Sequence, residues 1–263
     1  VKRLAVIGYP VGHSRSPAMQ NAALTELGLA EEWSYEAIEV APEDFEVRVR
    51  EMAAGDFVGA NVTVPHKEAA LVLAETPSAT AREIGAANTL IFRGGGVEAR
   101  NTDAEGFLAA LGSSPSGRRA LVLGAGGAAR AVVWALVRDS AAVEVWNRTA
   151  SRAEQLCADL GGTAVSGVDQ AAYELIVNTS AAGLDGGDPF GQLPLAPGGF
   201  EPRQTVVDMV YGDRPSQLLE AAAAAGATTV DGIEILVRQG ALSLQIWTGK
   251  EPPIETMRAA ARS

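Results

Sequence analysis

A glycine-rich turn followed by two arginines offers the first chemistry. Leu121-Val122-Leu123 runs into Gly124-Ala125-Gly126-Gly127-Ala128-Ala129-Arg130. The apolar triplet reads as a buried strand, the glycines as a tight turn and Ala128 to Arg138 as a helix. This is the strand, turn and helix of a dinucleotide-binding unit. Gly124 allows the turn, Gly126 lets a pyrophosphate reach the backbone, and Ala129 is small enough for the helix to pack on the strand. The helix start would turn free N–H groups toward the phosphates. The next strand, Ala142 to Trp146, ends in Asn147-Arg148-Thr149. An NAD site carries an acid there, about 20 residues after the first glycine, to hold the ribose 2′-OH. Here the acid is missing. Arg148, with Arg152 one turn later, can face a 2′-phosphate instead, which points to NADP; the Thr149 hydroxyl either joins them or caps the helix that follows.

Other residues have two readings each. Ser16-Pro17 starts a helix, with Ser16 as N-cap and Pro17 in the first turn. Ser14 is not needed for that cap, and two hydroxyls beside a helix start could hold a carboxylate. Lys67 stands where a strand ends and a helix begins, against the helix dipole. Strand carboxyl ends are where open α/β sheets bind ligands; a solvated lysine is the plainer reading. His66 reads as a surface residue. Asn88 is a turn residue or a site residue. Asp103 is a helix cap or a functional carboxylate. Gln239 falls on the apolar side of the last helix, and a buried amide must have a partner in the protein or in a ligand.

These residues need elements to carry them. Strands are predicted at 2–7, 35–40 and 57–64; Gly85 to Leu90 leads into another, which Gly94-Gly95-Gly96 turns so that 97–100 returns as a hairpin. Helices are predicted at 18–27, 42–54, 78–84 and 104–111. Gly112 to Gly117 is the best linker candidate. The dinucleotide unit follows, with strands at 175–177, 206–211 and 227–230, a surface loop over 185–199 and a helix at 215–225. The final helix runs from after Gly232 to about Trp247, with Glu234, Arg238 and Gln245 on its polar side. The order predicts an α/β chain.

Composition bounds the function. The chain has 263 residues, is 47% apolar and carries a net charge of −11. That charge argues against a nucleic-acid surface. No apolar run reaches the length of a membrane span. The first apolar stretch is too short for a signal peptide and reads as a strand. One cysteine, Cys157, and two histidines leave no disulfide framework and no thiolate or histidine-rich metal site. A cytoplasmic location is the default expectation.

The ordered motifs together resemble the shikimate dehydrogenase family. They are Gly8-x-Pro10 with His13-Ser14-Arg15-Ser16-Pro17, Asn61-Val62-Thr63-Val64-Pro65-His66-Lys67, Gly85-Ala86-Ala87-Asn88-Thr89 and Asn101-Thr102-Asp103. Gly124 to Ala128, Asn147-Arg148-Thr149, Asp208-Met209-Val210-Tyr211, and Asp231-Gly232 with Gln239 continue the series. The resemblance implies NADP-dependent, reversible reduction of 3-dehydroshikimate to shikimate. It implies that Ser14 and Ser16 hold the substrate carboxylate. Thr63, Lys67, Asn88, Asp103 and Gln239 would hold the ring hydroxyls, with Tyr211 close by, and Lys67 and Asp103 would be the catalytic pair. Gly124, Ala125, Gly126, Gly127, Ala128, Asn147, Arg148, Thr149 and Arg152 would hold the cofactor, with Met209 and Gly232 beside the nicotinamide. The implied fold has a substrate domain with a mixed sheet, residues 1–103 plus 233–263. A Rossmann-like NADP domain, 104–232, follows it, and the C-terminal helices return to the first domain. A monomer or homodimer acting on a small molecule is expected.

The chain departs from the family at Arg15, Gln20, His66, Glu234 and the Tyr211-Gly212-Asp213-Arg214-Pro215-Ser216 stretch, and none of these departures removes a matched substrate or catalytic residue. A quinate/shikimate dehydrogenase with broader substrate or cofactor use is the rival reading. Arg148 opposes NAD, and the serine pair favours shikimate, since quinate adds a hydroxyl beside its carboxylate. A non-catalytic homologue would have lost Lys67 or Asp103. A folate-type dehydrogenase would not explain Ser14 and Ser16.

Overall fold

The computed structural model describes residues 1–263, apart from the side chain of Asp185. It divides into two compact units, Val1–Gly106 with Leu236–Ser263, and Phe107–Ile235.

The first unit opens with β1 (Lys2–Gly8), α1 (Ser16–Glu26), β2 (Trp33–Glu39), α2 (Phe45–Ala54) and β3 (Phe57–Val62). It continues with α3 (Lys67–Leu73), β4 (Thr76–Pro77), α4 (Ala79–Ile84), β5 (Thr89–Arg93) and β6 (Gly96–Arg100). The sheet order is β2-β1-β3-β5-β6-β4. β1 runs parallel to β2 and β3, whereas β5 is antiparallel to both β3 and β6. The sheet is therefore mixed. Leu4 to Ile7 are at most 3% exposed. A continuous apolar run of this kind is what a strand covered on both faces requires. The β5–β6 hairpin turns at Gly94 and Gly95, with φ of +59° and +83°. A two-residue turn with both centres at positive φ matches the twist of the strands, and glycine supplies it without strain.

α5 (Asp103–Leu111) leads into the second unit, and the division falls inside this helix, after Gly106. β7 (Arg119–Leu123), α6 (Gly127–Arg138), β8 (Ala142–Trp146), α7 (Ala150–Leu160), β9 (Thr163–Ala164) and β10 (Leu175–Asn178) follow. Then come β11 (Thr205–Asp208), α8 (Gln217–Ala224) and β12 (Thr228–Asp231). All six strands are parallel, in the order β12-β11-β10-β7-β8-β9. The chain winds outward from β7 in one direction and then from β10 in the other. That is the doubly wound dinucleotide-binding order, whose crevice lies between the two central strands at their carboxyl ends.

α9 (Gly232–Thr248) and α10 (Ile254–Arg262) close the chain. From Leu236 onward they belong to the first unit, where α10 packs on α1. Among the described residues no helix is long and apolar enough to cross a membrane.

Several local expectations change. Ser16 is the first residue of α1 and Arg15 occupies the N-cap position. Ser14 Oγ accepts the Ser16 N–H at 3.2 Å, so the hydroxyl two residues upstream does the capping. The 185–199 stretch is not all surface: Leu193 and Leu195 are 6% and 8% exposed and belong to the same apolar core as Leu121 and Ile176. Their apolar area outweighs the glycines and prolines around them. Gly112 to Gly117 joins α5 to β7 within the second unit. His66 is buried, 2% exposed, with its ring stacked on Phe45.

Candidate active site

One edge of the first sheet collects the candidate residues, and the topology explains why. β1 and β3 are parallel neighbours with Ile7 opposite Val62, so the loops after them leave side by side. These loops carry Ser14 and Ser16, and Thr63 with Lys67. β5 is antiparallel to β3, with Thr89 opposite Asn61, so Asn88 stands at the same edge before β5 begins. β6 returns antiparallel with Arg100 opposite Thr89, which brings Asn101-Thr102-Asp103 there too.

Four of the residues are bonded together. Lys67 Nζ donates to Asp103 Oδ2 at 2.7 Å. Asn88 Nδ2 donates to Asp103 Oδ1 at 2.9 Å. Asn88 Nδ2 also lies 3.0 Å from Gln239 Oε1 and 2.9 Å from Thr102 Oγ1. An amide carries two hydrogens, so three acceptors compete for two donors. The Thr102 N–H donates to Asn88 Oδ1 at 2.7 Å, which fixes the amide's orientation. Gln239 Nε2 donates to Leu236 O at 2.8 Å. The buried amide of Gln239 is thus satisfied at both ends.

Asp103 does not cap α5. Asn101 Oδ1 accepts from the N–H groups of Asp103 and Ala104, at 3.0 and 3.3 Å. The Asp103 carboxylate is thereby free for Lys67. His66 sits beside Lys67 at the N-cap of α3. Its Nε2 is 2.8 Å from Val40 O, and burial holds its pKa below the ordinary histidine value, against the opposing pull of that bond.

Ser16 is buried, whereas Ser14 and Thr63 are half-buried. Among the described residues, these three make no side-chain bond to the Lys67–Asp103 group. The Thr63 methyl lies over Gly8, where a Cβ would collide with it. The loops after β1 and β3 are tied by Tyr9 N–H to Val64 O at 3.0 Å and Thr63 N–H to Ile7 O at 2.9 Å.

The two glycines of the turn in the second unit differ in their surroundings. Gly124 has φ of +116°, and a Cβ there would stand 2.6 Å from Thr179 Oγ1. A Cβ on Gly126 would meet nothing within 4 Å. The space in front of Gly126, at the N-terminus of α6, is open to a phosphate group. Ala129 is fully buried against the sheet. Gly127 and Ala128 open α6, and Ala125 lies in the turn before it.

A cavity of about 180 Å³ adjoins this turn, lined by Gly124, Asn147, Arg148, Thr149 and Arg152. Neither arginine has an ion-pair partner among the described residues, in a chain of net charge −11. Thr149 occupies the N-cap of α7 without a capping bond, and its carbonyl accepts from Asn147 Nδ2 at 2.9 Å. This donor set fits a dianionic phosphate on a nucleotide. Trp146, Ser180, Ala181, Ala182, Gln192 and Leu193 complete the lining, and sequence reasoning does not single them out. Ser180 to Ala182 have a usable signal, because β10 adjoins β7 at the crevice. Gln192 and Leu193 come from the glycine-rich stretch and have no local signal.

Met209 and Gly232 follow the paired ends of β11 and β12, where Asp208 lies opposite Asp231. A Cβ on Gly232 would come within 2.5 Å of Met209 O. Asp208 is fully buried; burial raises its pKa, against bonds from Ser216 Oγ, the Val210 N–H and Asn178 Nδ2. Tyr211 lies in the turn after β11 and is half-buried.

Known proteins resemble this chain over nearly its whole length. The family described as shikimate dehydrogenase substrate binding domain matches residues 6–90. Shikimate / quinate 5-dehydrogenase matches 109–180, and the shikimate 5′-dehydrogenase C-terminal domain matches 232–262. The NADP(+) shikimate dehydrogenase of Methanocella arvoryzae is 43% identical, covering 98% of this chain and 97% of that protein. The crystal structure of shikimate dehydrogenase from Aquifex aeolicus superposes with a TM-score of 0.93 at 36% identity, covering 100% and 98% of the two chains. That of the Thermus thermophilus enzyme in complex with NADP(H) and shikimate gives 0.89 at 41%, covering 100% and 99%. With identity at this level along nearly its full length, the chain belongs to the shikimate dehydrogenase family.

Proposed function

We propose that this protein is an NADP-dependent oxidoreductase that reversibly reduces 3-dehydroshikimate to shikimate. The observation that carries the reading is the enclosed Lys67–Asp103 pair, bonded through Asn88 to Gln239. Reducing a ketone takes a hydride to the carbonyl carbon and a proton to the carbonyl oxygen. NADPH, when bound, supplies the hydride and leaves as NADP⁺. Lys67 stabilises the negative charge that develops on the oxygen and donates the proton. Asp103 holds the ammonium in place and accepts from a ring hydroxyl. Asn88 and Gln239 each present an amide to the neighbouring hydroxyls, and Thr63 adds a third polar contact. Ser14 and Ser16 hold the carboxylate at the start of α1.

Residues 1–103 with 233–263 serve the substrate in this reading. Residues 104–232 serve NADP, with Gly124 to Ala128 at the pyrophosphate, Asn147 to Thr149 and Arg152 at the 2′-phosphate, and Met209 and Gly232 at the nicotinamide. Tyr211 approaches the substrate. The enzyme is read as cytoplasmic, a monomer or homodimer that acts on small molecules and binds no nucleic acid.

The test is direct. Purified protein should consume NADPH, read by its absorbance, on addition of 3-dehydroshikimate without added metal. Steady absorbance at high enzyme concentration overturns the reading. Faster reduction of the quinate-series ketone, or equal use of NADH, would instead select the quinate/shikimate alternative.

A further inference from the structure

α9 meets the first unit through Gln239, Ser243 and Trp247, four residues apart and so on one face of the helix. Ser243 and Trp247 bond into the sheet, and Gln239 bonds to the residue just before β5. Gln239 Oε1 accepts from Asn88 Nδ2 at 3.0 Å. Ser243 Oγ accepts from Asn61 Nδ2 at 2.9 Å. Trp247 Nε1 donates to Leu90 O at 2.9 Å. The backbone is close-packed at both ends of this stripe. A Cβ on Gly106 would stand 2.7 Å from Gln239 N, and one on Gly59 would collide with the Trp247 indole.

Ser243 is the middle of the stripe and is fully buried. Its Oγ lies 2.9 Å from Thr89 Oγ1 and 3.2 Å from Thr102 Oγ1, and it donates to Gln239 O at 3.1 Å. Those two threonine hydroxyls in turn reach Asn88 Oδ1, at 3.1 and 3.2 Å. Ser243 therefore touches both sides of the Asn88–Gln239 bond: the backbone of one residue and the hydroxyls around the other. Because Asn88 serves three acceptors with two hydrogens, the place of Gln239 decides how that amide is shared.

We propose that Ser243 is a positioning residue for substrate recognition. It keeps Gln239 in register with Asn88, so that both amides meet the ring hydroxyls together. The proposal rests on the function assigned above. It concerns binding and not the proton, since Ser243 makes no contact with Lys67 or Asp103 among the described residues.

Ser243→Ala is compatible with the fold. Without the hydroxyl, Asn61 Nδ2 still has Asn88 O at 3.2 Å and Thr89 Oγ1 at 3.4 Å. Steady-state kinetics on the wild type, Ser243→Ala, Gln239→Ala and the double variant, with a thermal midpoint for each, test the proposal. Ser243→Ala should raise KM for 3-dehydroshikimate about tenfold, with kcat and the NADPH KM within about twofold. In the Gln239→Ala background it should add nothing further, because residues acting through one contact are not additive. An equal rise in both backgrounds, an unchanged KM in the single variant, or joint loss of kcat and NADPH affinity overturns the proposal. No turnover by the wild type overturns the functional reading, and this proposal with it.

Discussion

Lys67 Nζ stands 2.7 Å from Asp103 Oδ2, with the two side chains only 12% and 9% exposed. They come from the start of α3 and the start of α5, brought to one sheet edge by the β5–β6 hairpin. An ion pair this enclosed loses much hydration and needs further donors on its oxygens to persist. Asn88 provides one on Oδ1. An ammonium has three hydrogens, and Asp103 is the only partner of Nζ among the described residues. Two hydrogens remain for a substrate.

Lys67→Ala should therefore lower kcat by about 10²–10⁴-fold, the range for a positioned proton donor, with a much smaller change in KM. Steady-state kinetics in the direction of shikimate formation check this. A change confined to KM would make Lys67 a binding residue and would remove it from the proton transfer.

Arg148 and Arg152 should decide cofactor choice. Both line the cavity beside Gly124 and lack an ion-pair partner among the described residues. Hydrogen bonds to a charged group contribute roughly 1.5–3 kcal/mol each. NADP should be preferred to NAD by at least about tenfold in kcat/KM. Arg148→Ala should weaken NADP and spare NAD, which has no 2′-phosphate. Raising the salt concentration should narrow the preference. Equal losses for the two cofactors would mean that Arg148 supports the fold and does not read the phosphate.

How legible the site is in the sequence depends on how local each signal is. The glycine turn and the Asn147-Arg148-Thr149 end are contiguous, and the strand-turn-helix geometry follows from them. Gln239 stands out because a glutamine on an apolar helix face contradicts burial unless it is bonded. Ser243 and Trp247 follow it at four and eight residues, yet serine and tryptophan on that face raise no such contradiction. Their partners Asn61 and Leu90 lie more than 150 residues away. His66 misleads because its burial depends on Phe45 and Val40, which lie before β3 in the chain. Ser16 as N-cap fails by two residues, since any nearby hydroxyl can accept the same N–H.

Gln20 should cost the chain stability. Its side chain is fully buried between α1 and α9, and Nε2 donates to Gly240 O at 3.0 Å. Oε1 has no partner among the described side chains and backbone groups. An unsatisfied buried acceptor costs about 1–3 kcal/mol. Methionine has a similar length, and the carbonyl of Gly240 sits inside α9, whose own ladder can serve it. Gln20→Met should raise the thermal midpoint by about 2–4 °C for each 1 kcal/mol recovered. A lower midpoint would show that Oε1 has a partner outside the chain, such as an ordered water.

His66 should make stability depend on pH. Its ring is 2% exposed and stacks on Phe45 with centroids 4.4 Å apart. Val40 O can only accept, so Nε2 carries the hydrogen of a neutral imidazole. Burial lowers the folded pKa more than the Val40 bond raises it. An unfolded histidine titrates near 6.5. Between that value and the lower folded one, the unfolded chain holds more protons, so stability falls as pH falls. The contribution is complete above about pH 6.5 and is lost on acidification toward the folded pKa. His66→Gln keeps an N–H for Val40 O and cannot titrate. Thermal midpoints of both proteins at about pH 7.5 and about pH 5.5 isolate the effect, because every other group titrates in both. The wild type should lose more on acidification than His66→Gln. Equal losses would mean that His66 takes up its proton alike in the folded and unfolded chain, and that the imidazole beside Lys67 is not held neutral by its surroundings.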